Sequence, residues 1–309
     1  MRNFNAPLNH EPSAHIKTML TFGCEQRWLP MKTEILTDGL CFGEGPRWHL
    51  GALWLSDMHA HVVYRIDAEG RKTQVVDVPN QPSGLGWLPD GRLLVVSMTD
   101  KKILVQNPSG LEVWSDLADL ARHDCNDMVV DQTGRAWVGN FGFDLHAGQS
   151  PVATELIRVD PDGEATIVAQ DLKFPNGSVI TPDGQTLIVA ESFGAALTAF
   201  DFGANHTLTN RRTWAHLVDA VPDGICLDAE GAIWVASPVS NECLRVLEGG
   251  LVTHRIAVED QAFACMLGGE DGCRLFILTA PQGDPEHCKA HRAGKVVFVD
   301  VDVPGAGWP

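Results

Sequence analysis

The feature that most constrains this chain is a segment that recurs six times. Each copy reads as a small or polar residue, an apolar strand, a Gly-containing turn and a second apolar strand. The copies cover residues 44–57, 83–98, 126–140, 176–192, 223–237 and 264–280. They return roughly every 40 to 50 residues, the spacing of propeller blades. Further apolar strands follow them, as at 62–66, 156–159 and 243–246, with outer strands at 73–76 and 165–169. The expected fold is therefore all-β: a six-bladed β-propeller of four-stranded antiparallel blades around a central channel. A short strand at 34–36 and the last apolar strand at 296–299 should pair and close the ring, which removes exposed sheet edges. Residues 116–121 read as a helical turn.

Aligning the copies on their turns brings Glu44, Ser83, Asn126, Asn176, Asp223 and Ala264 into one register position. The innermost strand of each blade lines the channel, so these residues should form a ring at one mouth. Such a ring carries two carboxylates, two carboxamides, a hydroxyl and a methyl. Hard oxygen donors converging from separate blades suit a divalent cation such as Ca²⁺, Mg²⁺ or Mn²⁺. In a four-stranded meander, the connections from second to third strand share the face of this ring. Two of them, 140–154 and 281–294, are long, as loops that shape access to a site often are.

Each ring residue also has a plainer reading, and for Asn126 it is a structural one. Asn176 and Asp223 precede Gly and would suit turns, and Glu44 before Gly-Pro would suit a loop cap. Ser83 and Ala264 read as channel lining. His59, His61, His123 and His146 lack paired zinc spacing and read as loop histidines. Trp54, Trp137 and Trp234, which follow the blade turns, read as core between blades.

Composition narrows the function classes. The formal net charge is −17, from 40 acidic against 23 basic residues, and no basic stripe is available to neutralise phosphates, which argues against a nucleic-acid partner. No apolar run reaches membrane-spanning length. The eight Cys show neither a C-x-x-C pair nor zinc-type spacing, so buried reduced thiols and a cytoplasmic protein are expected. Residues 1–30 carry no period and read as an irregular extension. The propeller domain is then 31–309, with Met31 as a candidate physiological start.

Taken in order, Gly43-Glu44-Gly45-Pro46, Asn126-Asp127, Pro175-Asn176-Gly177 and Pro222-Asp223-Gly224 resemble the motifs of the regucalcin / gluconolactonase / luciferin-regenerating-enzyme family. The likeness runs from Met31 to about Asp302. It implies one catalytic divalent cation in the channel, Ca²⁺ foremost, with Mg²⁺, Mn²⁺ or Zn²⁺ as alternatives. By the family pattern Glu44, Asn176 and Asp223 are the metal ligands, Asn126 contacts substrate, and Asp223 transfers the proton. The implied activity is metal-dependent opening of a lactone ring, with a small lactone or ester as the partner. One position departs from the pattern. Sugar lactonases of this type carry Arg two residues before the Asn matching Asn126, where this chain has Asp124. An acceptor-only carboxylate there changes what the site can hold. Together with the apolar segment 139–144, it points to a less polar substrate. A related metal-dependent esterase or organophosphate hydrolase, and a non-catalytic calcium- or protein-binding propeller, are the other classes the same ring would serve.

Overall fold

The computed structural model describes residues 31–308; the extension 1–30 and the candidate start at Met31 fall at or outside that limit. Six four-stranded antiparallel sheets form the ring. Blade one comprises Gly43–His49, Ala52–Asp57, Val62–Ile66 and Lys72–Asp77, from the channel outward. The innermost strands of the next five blades are Pro82–Trp87, Cys125–Val130, Pro175–Ile180, Ile225–Leu227 and Gln261–Gly268. Neighbouring innermost strands touch all the way round, and the sixth returns to the first.

The ring closes as the sequence predicts. Glu34–Leu40 is the outer strand of blade six and pairs antiparallel with Gly294–Asp300, in a register that places Ile35 opposite Val297. The first strand of the chain thereby fastens the last blade. Burial falls outward along each blade. All of Cys125–Val130 is buried, whereas Lys72–Asp77 has no buried residue. Innermost strands are covered on both faces, and the polar residues they carry, such as Glu44, Arg47, Asn126 and Asn176, are buried with them.

The Gly-containing turn between first and second strands has one recurring geometry. Gly91, Gly134 and Gly231 each donate to the carbonyl three residues back and hold φ between +78° and +87°, which suits glycine. In blades three and five, Asp131 and Asp228 also accept from backbone N–H groups of their own turns.

Apolar clusters fill the spaces between blades. Trp137 packs with Leu156 of blade three and with Leu187 and Phe200 of blade four. Trp234 joins blades five and six. Trp54 lies between blades one and two but is only half-buried. At 116–121 the expected turn forms, with the Ala121 N–H donating to the Leu117 carbonyl at 2.8 Å. The described cysteines are free thiols, all buried except Cys273.

The C-terminal segment has no counterpart in the repeat. It crosses the end of the channel opposite the polar ring. Gly305 bridges to Asp228 of blade five, and Trp308 pairs with Ile180 of blade four through N–H···O bonds of 2.9 and 3.0 Å.

Candidate metal and catalytic centre

A local irregularity in the inner strands presents the ring residues to the channel. In blades one to four, the inner strand carries one extra residue beside its partner just after the ring begins. Cys125 pairs with Asn140 and Met128 with Val138, and Pro175 pairs with Glu191 and Ser178 with Val189. Glu44 and Ser83 sit at the equivalent bulges. Bulges re-aim side chains next to sites, and they explain why these segments read as turns in the sequence.

The glycines beside the ring serve close packing. A Cβ on Gly177 would lie 2.5 Å from the Ile225 nitrogen of blade five, and one on Gly45, at φ +54°, would lie 2.6 Å from the Ser83 carbonyl oxygen of blade two. Neither contact can accommodate a side chain. The Gly after Asn176 therefore lets adjacent inner strands approach; it does not make a turn.

Glu44, Asn126 and Asn176 are all buried. The Asn176 amide donates to Ser192 Oγ at 3.2 Å, and Ser192 Oγ donates in turn to the Pro222 carbonyl at 2.7 Å. This relay fixes the Asn176 side chain between blades four and five, next to Asp223. Asn126 Nδ2 donates to the Pro175 carbonyl at 3.4 Å. Both carboxamides thus use an N–H group on the protein frame, and among the described residues neither side-chain oxygen accepts from a protein donor.

The electrostatics mark the site as short of positive charge. Burial pushes the Glu44 carboxyl well above its usual range, and the charges of Asp223 and Asp127 push it further. Burial likewise raises Asp223 to about 8, with the nearby Asn176 side chain opposing and Asp127 adding to the rise. Asp223 Oδ1 is buried without a hydrogen-bond partner, as is Ser83 Oγ. Buried polar atoms are nearly always paired, and a carboxylate between like charges favours a cation. The donors are oxygens of carboxylates and carboxamides, the set that hard divalent ions prefer. On these grounds the residues present fit the implied cation. Among the described residues, no cluster of three or more His, Cys, Asp or Glu forms a metal site by itself; the oxygen set here depends on its carboxamides.

Sequence reasoning missed the floor beneath the ring. Arg47, three residues after Glu44, is buried and reaches Asp127 of blade three at 2.7 Å. It also donates to the carbonyls of Leu85, Pro46 and Met128. Burial raises Asp127, and Arg47 offsets part of that. A lone Arg inside an inner-strand repeat is the signal that was available. Ser192 was missed too, because it sits beyond the second strand. His59, in the one-turn segment Met58–Ala60 that links two strands, is not exposed. It is buried against Phe42, ring centroids 5.0 Å apart, with Nε2 3.3 Å from the Gly283 carbonyl. Burial lowers its pKa to about 4. Asp124 stands at the mouth, partly exposed, with His123 Nδ1 3.4 Å away.

A cavity of about 320 Å³ opens at the other end of the channel, lined by Trp48, His49, Trp87 and Trp308. Its Arg47 is engaged by protein acceptors.

Comparison with known proteins agrees with this architecture. The model of the SMP-30/Gluconolactonase/LRE-like region matches residues 42–281. Regucalcin from Xenopus laevis is 26% identical over 269 residues, covering 82% of this chain and 88% of its own. The 6-deoxy-6-sulfogluconolactonase of Pseudomonas putida is 25% identical over 287 residues, covering 86% and 94%. Among solved structures, a calcium-binding regucalcin from Agrobacterium tumefaciens superposes with a TM-score of 0.77 at 23% identity, over 91% of this chain and 97% of that one. With the six-bladed ring and its polar mouth, the match over most of the chain's length shows that this protein belongs to the SMP-30/gluconolactonase/LRE-like family.

Proposed function

We propose that the protein is a divalent-cation-dependent hydrolase that opens a lactone ring, with Glu44, Asn176 and Asp223 holding the cation. The observation that carries this reading is the buried, unpartnered Oδ1 of Asp223 beside Asn176 and within electrostatic reach of Glu44. Relatives that are themselves lactonases or calcium-binding proteins support it. Calcium is the first candidate on donor type.

The bound cation would supply charge for the carbonyl oxygen as it becomes an oxyanion. The remaining steps belong to the chain. Water forms the new bond to the acyl carbon and gives up a proton to Asp223 Oδ1. The ring C–O bond breaks, and Asp223 returns the proton to the departing alkoxide, leaving a hydroxy acid. Asn126, with its N–H pinned to Pro175, offers an oxygen to orient a donor group of the substrate. The Arg47–Asp127 pair ties the inner strands of blades one and three together beneath the ring.

The test is hydrolysis of a lactone panel, followed by a pH indicator, on EDTA-stripped protein refilled with Ca²⁺, Mg²⁺, Mn²⁺ or Zn²⁺. Turnover restored by a cation and lost in Glu44→Ala is the expected result. Tight cation binding without turnover of any lactone would move the reading to a cation-binding propeller, the class that relatives named regucalcin keep in view.

A further inference from the structure

We infer that the channel mouth accepts a lactone bearing an alkyl or aryl substituent in preference to a polyhydroxylated sugar lactone. The inference rests on the lactonase reading and names its substrate class.

The residues just before the ring continue the chain of each inner strand past it. Two positions ahead of Glu44, Ser83, Asn126, Asn176 and Asp223 stand Phe42, Gln81, Asp124, Phe174 and Val221; immediately ahead of Ala264 stands Phe263. Four of these six side chains are apolar, and three are phenylalanines. They group on two sides. On one, Phe42 packs on Phe263 at 4.6 Å and on His59 at 5.0 Å. On the other, Phe174 packs on Phe141 at 4.5 Å and on Phe193 at 5.2 Å, and Phe143 meets Phe193 at 5.3 Å. One apolar cluster contains Phe42, Met58, Phe141, Phe143 and Phe174. Phe42, Phe141, Phe143 and Phe174 are themselves buried and back this surface, while Phe193, 47% exposed, and the half-buried Phe263 are the aromatic edges it presents.

These walls are held in place. Asp57 is buried and accepts from the Phe42 N–H at 2.8 Å. Glu191 accepts from the Lys173 N–H at 2.7 Å, next to Phe174. Ser237 accepts from the Val221 N–H at 3.1 Å. Asn140, fully buried, accepts from the Gly142 N–H at 3.0 Å between Phe141 and Phe143. Each of these polar residues ends a second strand, so the frame spends its polar groups on fixing an apolar mouth. Three cations near this face have contacts of their own: Arg292 with Cys41 Sγ, Lys289 with Glu286 and Arg122 with Glu155. A sugar lactone needs a partner for each hydroxyl it buries, and a hydroxyl placed against these phenylalanines would have none. An alkyl or aryl substituent would gain from the same surface.

The experiment compares kcat/KM for δ-valerolactone, its 5-alkyl homologues of increasing length, a 5-phenyl homologue and gluconolactone, on the cation-loaded protein. The expected rise is about fourfold per added methylene until the wall is covered, with gluconolactone the poorest. Phe193→Ser and Phe263→Ser should each lower the longest homologue more than δ-valerolactone. Titration calorimetry with the ring-opened 5-hydroxy acids should show tighter binding than with gluconate. A flat or falling alkyl series, or gluconolactone as the best substrate, overturns this inference and leaves the lactonase reading intact. Failure to hydrolyse any lactone removes both.

Discussion

At the scale of single residues, the site is marked by Asp223, whose buried Oδ1 has no hydrogen-bond partner. Asp223 is the proposed proton carrier, and Asp223→Asn keeps its shape without its basicity. Lactone turnover in that variant should fall roughly 10²- to 10⁴-fold, and near-wild-type rates would remove the assignment. The same carboxyl gives a pH prediction. Without cation it holds its proton up to about 8, against an ordinary 3.8. Between those values the folded state binds more protons than the unfolded one, so stability falls as pH rises through the interval; the penalty is absent below it and complete above it. Thermal midpoints of EDTA-treated protein should therefore decline from pH 5 to 8.5, and added cation should flatten that slope. A midpoint that rises with pH in the cation-free protein would contradict the burial argument. Arg47 makes the opposite case. Arg47→Leu leaves Asp127 buried beside two other carboxylates and should cost about 3–5 kcal/mol in urea unfolding. Adding Asp127→Leu should return part of that loss, whereas equal loss in the double variant would mean that Arg47 acts through packing alone. Neither Arg47 nor Ser192 was legible as part of the centre. Each owes its role to a partner on another blade, Asp127 80 residues away and Pro222 30 residues away, and the repeat aligns equivalent positions, not facing ones.

At the scale of strands and loops, the sequence spoke clearly wherever the repeat did. Strand alternation, turn glycines and the ring register followed from six aligned copies, because a propeller asks the same thing of every blade. The bulges were hidden, since an extra residue in a strand looks like a turn in the chain. The pinning of Phe42, Lys173 and Val221 by Asp57, Glu191 and Ser237 was hidden as well, because the anchors differ in chemistry while sharing a place. The closing strand Glu34–Leu40 carries an element-level prediction. Among the described residues it is the one strand paired to the outer edge of Gly294–Asp300, and Leu40 is fully buried. A chain beginning after Leu40 should lose several degrees in thermal midpoint and aggregate through the bared edge. Light scattering during a thermal ramp reads both. An unchanged midpoint would mean that blade six is complete without its outer strand.

At the scale of the whole molecule, the proposed ligands come from blades one, four and five, so one ion would tie distant parts of the ring together. The C-terminal segment fastens blades six, five and four at the opposite end. It could not be read from the repeat, because it belongs to no blade. A ligand that binds only the folded ring stabilises it by mass action, about 2.7 kcal/mol at a concentration one hundred times its Kd. For a domain of this size that is a rise of roughly 5–10 °C in thermal midpoint. Glu44→Ala separates this effect from ordinary packing. It removes a carboxylate that repels Asp223 and Asp127, so the cation-free midpoint should hold or rise, while the cation-dependent shift should shrink or vanish. A full shift in Glu44→Ala would place the ion elsewhere in the molecule. A large fall in the cation-free midpoint would give Glu44 a structural role that its mutual repulsion with Asp223 and Asp127 argues against.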